Sequence, residues 1–383
     1  MSSVAVTQTV PDGSSAAEEA RPALAAPSRT KEFLLTGGAS LLLLPLCWLL
    51  RRGLGLDDSE LLVGFLTFHA AHVINDPHFA VTYLLFYRDV KARLFGEGPQ
   101  RTQRLRYWFA GFVAPLLMLI WAATALWTQS ARSLGAFTQL MFLLVGWHYV
   151  KQGFGVLTVL SARRGVSYSL AERRSVLFHC FAGWAYAWAS PFDPGRSVEE
   201  KGVIYTTLAH PVWLEPLTRW VFFLSALPMA FVLVRKWRQD RSLQWSPLVG
   251  LLCSVWLWTV YSGLDPLFMY LIPALHSLQY LYFVWLLKRG HASEHEGPPE
   301  FGRPVATVLG AWAASALGLG LVLFHLLPSA LDAALVDKRA ARFSDLGATP
   351  YFAALFTFVN LHHYFMDFVI WRRENPETRY LRA

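Results

Sequence analysis

The run NLHHYFMDFVIWR places two adjacent histidines, His362 and His363, and an aspartate, Asp367, inside what otherwise reads as a membrane span. Ionisable side chains are costly in hydrocarbon and mark functional positions when they occur there. Eight of the chain's twelve histidines share this setting: His69, His72, His78, His148, His179, His276, His362 and His363. The other four, His210, His291, His295 and His325, fall in loops or near a span end and read as solvated or interfacial.

Neutral imidazole is the commonest metal ligand, so several imidazoles at one depth are suited to iron, copper or zinc. Spacing supports a common depth. His72 follows Glu60 by twelve residues, His148 follows Ala136 by twelve, His276 follows Asp265 by eleven and His362 follows Pro350 by twelve. At about 1.5 Å per residue, each lies ~15–20 Å into its span, near the bilayer midplane. His69 lies one turn from His72, and His363 neighbours His362. These six histidines are the candidate metal ligands. His78 and His179 read as structural or supporting residues.

One turn beyond each histidine stands a polar residue on the same helix face: Asp76 after His72, Gln152 after His148, Gln279 and Tyr280 after His276, and Asp367 after His363. Such companions orient imidazoles at metal sites. Asp76, Tyr280 and Asp367 are the candidate catalytic or proton-relay groups, and Gln152 and Gln279 the residues that orient the cofactor. Because neighbouring helical residues diverge by about 100°, His362 and His363 are expected to differ in role, with His363 the ligand backed by Asp367.

These positions require a helical bundle in a membrane. Of the 383 residues, 54% are hydrophobic and only 16% charged, against about a quarter charged in soluble domains. Ten stretches approach the length of about 20 apolar residues that spans hydrocarbon: 33–50, 60–86, 107–127, 136–161, 174–190, 217–234, 245–262, 265–287, 305–327 and 349–371. The expected fold is therefore an all-α polytopic bundle, with residues 31–372 as one domain, a disordered tail over 1–30 and a second tail over 373–383. Basic clusters at 88–106, 162–173, 235–241, 288–289 and the C-terminus occupy alternate loops. By the positive-inside rule these loops and both termini are cytoplasmic. Arg51, Arg52, Lys338, Arg339 and Arg342 are exceptions.

The net charge of +8 lies in those topogenic clusters, so no nucleic-acid partner is implied. Cys47, Cys180 and Cys253 are dispersed inside spans and suggest neither a disulfide framework nor a thiolate metal site.

A nitrogen-rich, thiolate-free set in hydrocarbon favours non-haem iron, mono- or dinuclear, and a lipophilic substrate oxidised by O2. The chain resembles the histidine-rich integral-membrane non-haem iron enzymes, although the HxxxH and HxxHH boxes of the fatty-acid desaturases and hydroxylases are absent. The run PALHSLQYLYF, through His276 and Ser277, resembles the histidine-bearing helices of the Brp/Blh-type carotenoid oxygenases. That resemblance implies His72, His148, His276 and His362 or His363 as ligands to one iron. Membrane lipids and a cytoplasmic electron donor are the partners expected with such an enzyme. The pocket is expected to open toward the cytoplasm. Two alternatives remain: haem held between facing histidines, and a proton- or cation-coupled transporter using Asp76, His148 and Asp367.

Overall fold

The computed structural model describes residues 28–96, 100–189, 195–240, 244–297, 300–337 and 344–381. All but the end of the expected N-terminal tail falls outside these residues, as do Lys338, Arg339 and Arg342. In chain order the helices are α1 (Arg29–Leu54), α2 (Leu56–Ala71), α3 (Asn75–Tyr87), α4 (Val90–Phe95), α5 (Arg101–Trp127), α6 (Ala131–Ala162) and α7 (Leu170–Ala189). A hairpin of β1 (Ser197–Glu200) and β2 (Val203–Thr206) follows. Then come α8 (Leu214–Gln239), α9 (Trp245–Val260), α10 (Pro266–Glu296), α11 (Val305–Leu335), α12 (Pro350–Ile370) and a 3-10 turn, Pro376–Leu381.

Seven of these, α1, α5, α6, α8, α10, α11 and α12, are long and apolar enough to cross a membrane. Ten spans were expected, and the other three stretches are helical but do not reach that length and apolarity. The stretch 174–190 lies in α7, whose N-terminal turn carries charge, and 245–262 is the short α9. The third, 60–86, is not one helix. It breaks between Ala71 and Asn75 into α2 and α3. Pro77 gives the reason: it has no N–H to continue the helix, and its ring clashes with the carbonyl four residues earlier, so it is best accommodated in the first turn of a new helix.

Local chemistry fixes the other helix starts near the site. Asp265 caps α10 by accepting from Leu267 N at 3.0 Å and Phe268 N at 3.2 Å, with Pro266 in the first turn. Asp332 on α11 caps a different helix: its two oxygens accept from Tyr351 N at 2.9 Å and Phe352 N at 3.0 Å at the start of α12. The cap thereby joins the two helices.

Long α6 is the central post, packed by α5, α7, α9, α12 and β2. Gly153 allows α9 to approach, since a Cβ there would lie 2.5 Å from Ser254 Cβ. On the other side of the site α10 packs against α2, α3, α11 and the 3-10 turn. The residues expected as a C-terminal tail fold back in that turn, burying Tyr380 and Leu381. Helices α3, α6, α10 and α12 therefore meet around one buried volume.

Candidate metal centre

Four imidazoles converge in that volume, one from each of these helices: His78 on α3, His148 on α6, His276 on α10 and His363 on α12. All are buried. His148 Nε2 lies 3.1 Å from His276 Nε2 and 3.3 Å from His363 Nε2. The ring of His78 is 4.4 Å from that of His363 and 5.0 Å from that of His276, centroid to centroid. One ligand atom each from His78, His148 and His363 lies within 4.8 Å of the others.

Hydrogen bonds within the protein do not satisfy every nitrogen of this cluster. A neutral imidazole nitrogen has one in-plane site, either an N–H or a lone pair. His148 Nε2 faces two other Nε2 atoms, so it can bond only one of them, and the other contact sets like against like. His78 is more specific still. Ser277 Oγ donates its one hydrogen to Asn75 Oδ1 at 2.9 Å, so it must accept from His78 Nδ1 at 3.2 Å. That leaves a bare lone pair on His78 Nε2, which is buried and has no partner. His276 Nδ1, His363 Nδ1 and Asp367 Oδ2 are also buried without partners. Such orphaned atoms cost roughly 1–3 kcal/mol each.

A cation resolves the crowding, because it accepts several lone pairs at one point. Two nitrogens bound at ~2.0–2.1 Å to one ion, at angles between about 90° and 110°, stand about 2.9–3.4 Å apart. The two Nε2 separations fall in that range. The donor set fits a divalent transition metal.

Around the imidazoles lies a supporting layer. Tyr280 Oη donates to Asp367 Oδ1 at 2.6 Å and contacts Thr82 Oγ1 at 2.7 Å, and Trp371 Nε1 donates to the same Asp367 oxygen at 3.2 Å. Asp367 Oδ2 is thereby aimed at the histidines, 3.3 Å from His363 Nε2 and 3.7 Å from His148 Nδ1. Gln152 Nε2 donates to His276 O at 3.1 Å and to Gln279 Oε1 at 2.8 Å, and Gln279 Nε2 donates to Thr36 O at 2.6 Å. The two glutamines thus tie α6, α10 and α1 together behind His276. Tyr364 stacks on His148 and the tilted ring of Tyr149 packs against His276, with centroids 4.8 and 4.3 Å apart.

Of the six candidate ligands, His148, His276 and His363 meet and three do not join them. His362, about 100° from His363, turns outward: its Nε2 donates to Ala110 O and its Nδ1 accepts from Tyr83 Oη, both at 3.0 Å. Both of its nitrogens are spent. His69 is exposed on the last turn of α2. His72, at the end of α2, lies with Asp76 in a second group outside the centre. There His325 Nε2 bonds Asp76 Oδ2 at 2.8 Å, and the His72 and His325 rings stack at 4.3 Å and 11°. This group can also bring three ligand atoms within 4.8 Å. Unlike the central cluster it leaves no orphaned buried atom, since His72 Nδ1 bonds Phe68 O at 3.1 Å. Asp76 is thus placed with His325 and away from the four-histidine centre.

His78 takes the place expected of His72. The helix break rotates α3 relative to α2, so the depth count from Glu60 stops applying after Ala71. Pro77 was the available signal. His325 was read as interfacial, and nothing in the sequence pairs it with Asp76. His179 is held as a structural residue, its nitrogens contacting Ser225 Oγ at 2.9 Å and Trp256 Nε1 at 3.2 Å.

A cavity of about 800 Å³ leads to the centre, with His148, Tyr280 and Asp367 in its wall. Its other end is formed by the turn after α6 and the segment after α12. Fold and site define a class: a polytopic helical bundle with a histidine-lined candidate metal centre reached by a deep cavity. No protein-family model, curated protein or solved structure matches the chain.

Proposed function

We propose that the protein is an integral-membrane, metal-dependent oxidoreductase, an oxygenase, hydroxylase or desaturase, that oxidises a lipophilic substrate with O2. The observation that carries this reading is His148 Nε2 set between two other imidazole nitrogens at 3.1 and 3.3 Å, in a buried cluster with an unpartnered His78 Nε2. His78, His148 and His363 would hold the ion, with His276 packed against His148 and Asp367 Oδ2 beside His363, where it can hold a proton.

Non-haem iron is the ion that best suits an all-nitrogen or nitrogen-and-carboxylate set, and it would supply the redox chemistry needed to use O2. The nitrogens stand too close to each other for a porphyrin to pass between them, which favours a bare ion over haem. Against a transport role, the polar groups gather around one point: Tyr280 and Trp371 both donate to Asp367, and Thr82 contacts the Tyr280 hydroxyl behind it.

The chain's own residues then divide the work. The Asn75–Ser277 pair fixes His78 with its lone pair inward. Tyr280 and Trp371 hold one oxygen of Asp367 and leave the other facing the centre. The cavity would admit a substrate to the side of His148, and the arginines in the loops around its mouth favour an opening to the cytoplasm, where an electron donor would dock. Membrane lipids would surround the apolar outer surface.

The test is oxygen uptake by the reconstituted full chain presented with membrane-lipid extracts. Uptake should vanish on chelation and return with ferrous iron but not with zinc. Iron that binds without supporting any oxygen uptake would remove the oxidoreductase reading.

A further inference from the structure

Several cations at the cavity end of the molecule are neutralised. Arg164 pairs with Glu32, Arg88 and Arg93 with Glu377, Arg235 and Lys236 with Glu172, and Arg379 with Glu294. Four that line the cavity are different. Lys151, Arg173, Arg372 and Arg373 have no carboxylate within ion-pair distance among the described residues. The Lys151 ammonium and the Arg173 guanidinium flank one ring, Phe154, at 5.9 and 6.0 Å. Apart from Asp367 at the centre, the only carboxylate in the wall is Glu374, beside Arg372.

Lys151 follows His148 by three residues on α6, so the two are one turn apart on one face. A half-buried ammonium without a carboxylate partner is unfavourable in the bare cavity. An anion bound at Lys151, Arg173 and Arg372 would supply charge-assisted bonds to it. The rest of the wall is apolar, including Val156, Val159, Phe283 and Phe368.

We propose that the cavity binds an amphiphile with an anionic head, a long-chain carboxylate or phosphate monoester, with its head at Lys151, Arg173 and Arg372 and its chain along the apolar wall. As a statement about the substrate this rests on the oxidoreductase reading; as a binding site it stands without it. The head then lies one helix turn from the histidine centre.

The full chain in amphipol, once stripped by a chelator and once loaded with ferrous iron, is titrated with the fluorescent fatty acid cis-parinaric acid. It is then displaced with dodecanoate, monododecyl phosphate, dodecanol or inorganic phosphate. Both anionic amphiphiles should displace it at about tenfold lower concentration than dodecanol, the factor one charge-assisted hydrogen bond supplies, and inorganic phosphate alone should not displace it. Lys151→Gln should erase the preference and Lys151→Arg should keep it. Dodecanol competing as well as dodecanoate, displacement by phosphate alone, or a preference that survives in Lys151→Gln would each overturn the proposal. If Lys151→Gln does not fold, the ratio measured on the unaltered chain decides. Metal content of the same samples separates the two readings: an anion preference in protein that never binds metal leaves this site standing and removes the metal centre.

Discussion

The Nε2 atoms of His148 and His276 face one another at 3.1 Å between α6 and α10, and His363 Nε2 lies 3.3 Å from the same His148 nitrogen. One nitrogen with a single bonding site thus faces two others. In an apolar interior one of these contacts can be a neutral N–H···N bond while the other is left unsatisfied, and a cation among the imidazoles would satisfy the remaining lone pairs.

His78 and His72 give the sharpest contrast at the level of single residues. His78→Ala should reduce bound metal to below about a tenth, because ligand loss typically removes orders of magnitude in affinity. His72→Ala should leave metal content unchanged. Elemental analysis of the two purified variants distinguishes this arrangement from one that follows residue depth alone, in which His72 would be the ligand.

Asp367 and Tyr280 support the centre through one hydrogen bond of 2.6 Å. Tyr280→Phe should weaken metal binding about 10–100-fold without abolishing it, the usual effect of losing a residue that orients a ligand. A competition titration with a chelator of known affinity reads this directly. An unchanged affinity would mean that the Tyr280 hydroxyl serves packing only.

The Asp76–His325 pair should behave oppositely. His325→Ala leaves a buried carboxylate without its 2.8 Å partner, so thermal stability should fall by about 1–3 kcal/mol. Metal content should stay at the level of the unaltered chain. A loss of one ion per chain in this variant would show that the pair with His72 is itself a metal site.

Gly153 carries the packing of α6 on α9. Gly153→Ala places a Cβ 2.5 Å from Ser254 Cβ, and the helices must separate or Ser254 must shift. A loss of about 1–3 kcal/mol in thermal unfolding is expected, the cost typical of overpacking. Ser254→Gly in the same chain should recover most of it. Failure of that rescue would place the strain elsewhere.

Much of this arrangement was legible in the sequence, and the failures have physical causes. Periodicity and apolar length located the helices that carry His148, His276 and His363. The three- and four-residue spacings placed Gln152, Gln279, Tyr280 and Asp367 in the layer behind them. The 100° rule separated His363 from His362, although only contacts from α3 and α5 show where His362 goes. Counting depth along 60–86 did not work, because it treated Pro77 as a residue within a helix when it starts a new one. The bond from His325 to Asp76 joins residues 249 apart in sequence, and no local pattern encodes it.

The most direct test of the central claim is the metal content of the purified full chain beside that of His148→Ala, with His362→Ala as the control. The account predicts about one transition-metal ion per chain, lost in His148→Ala and retained in His362→Ala. Absence of stoichiometric metal from the unaltered chain after exposure to iron, copper and zinc, or full retention in His148→Ala, would contradict it.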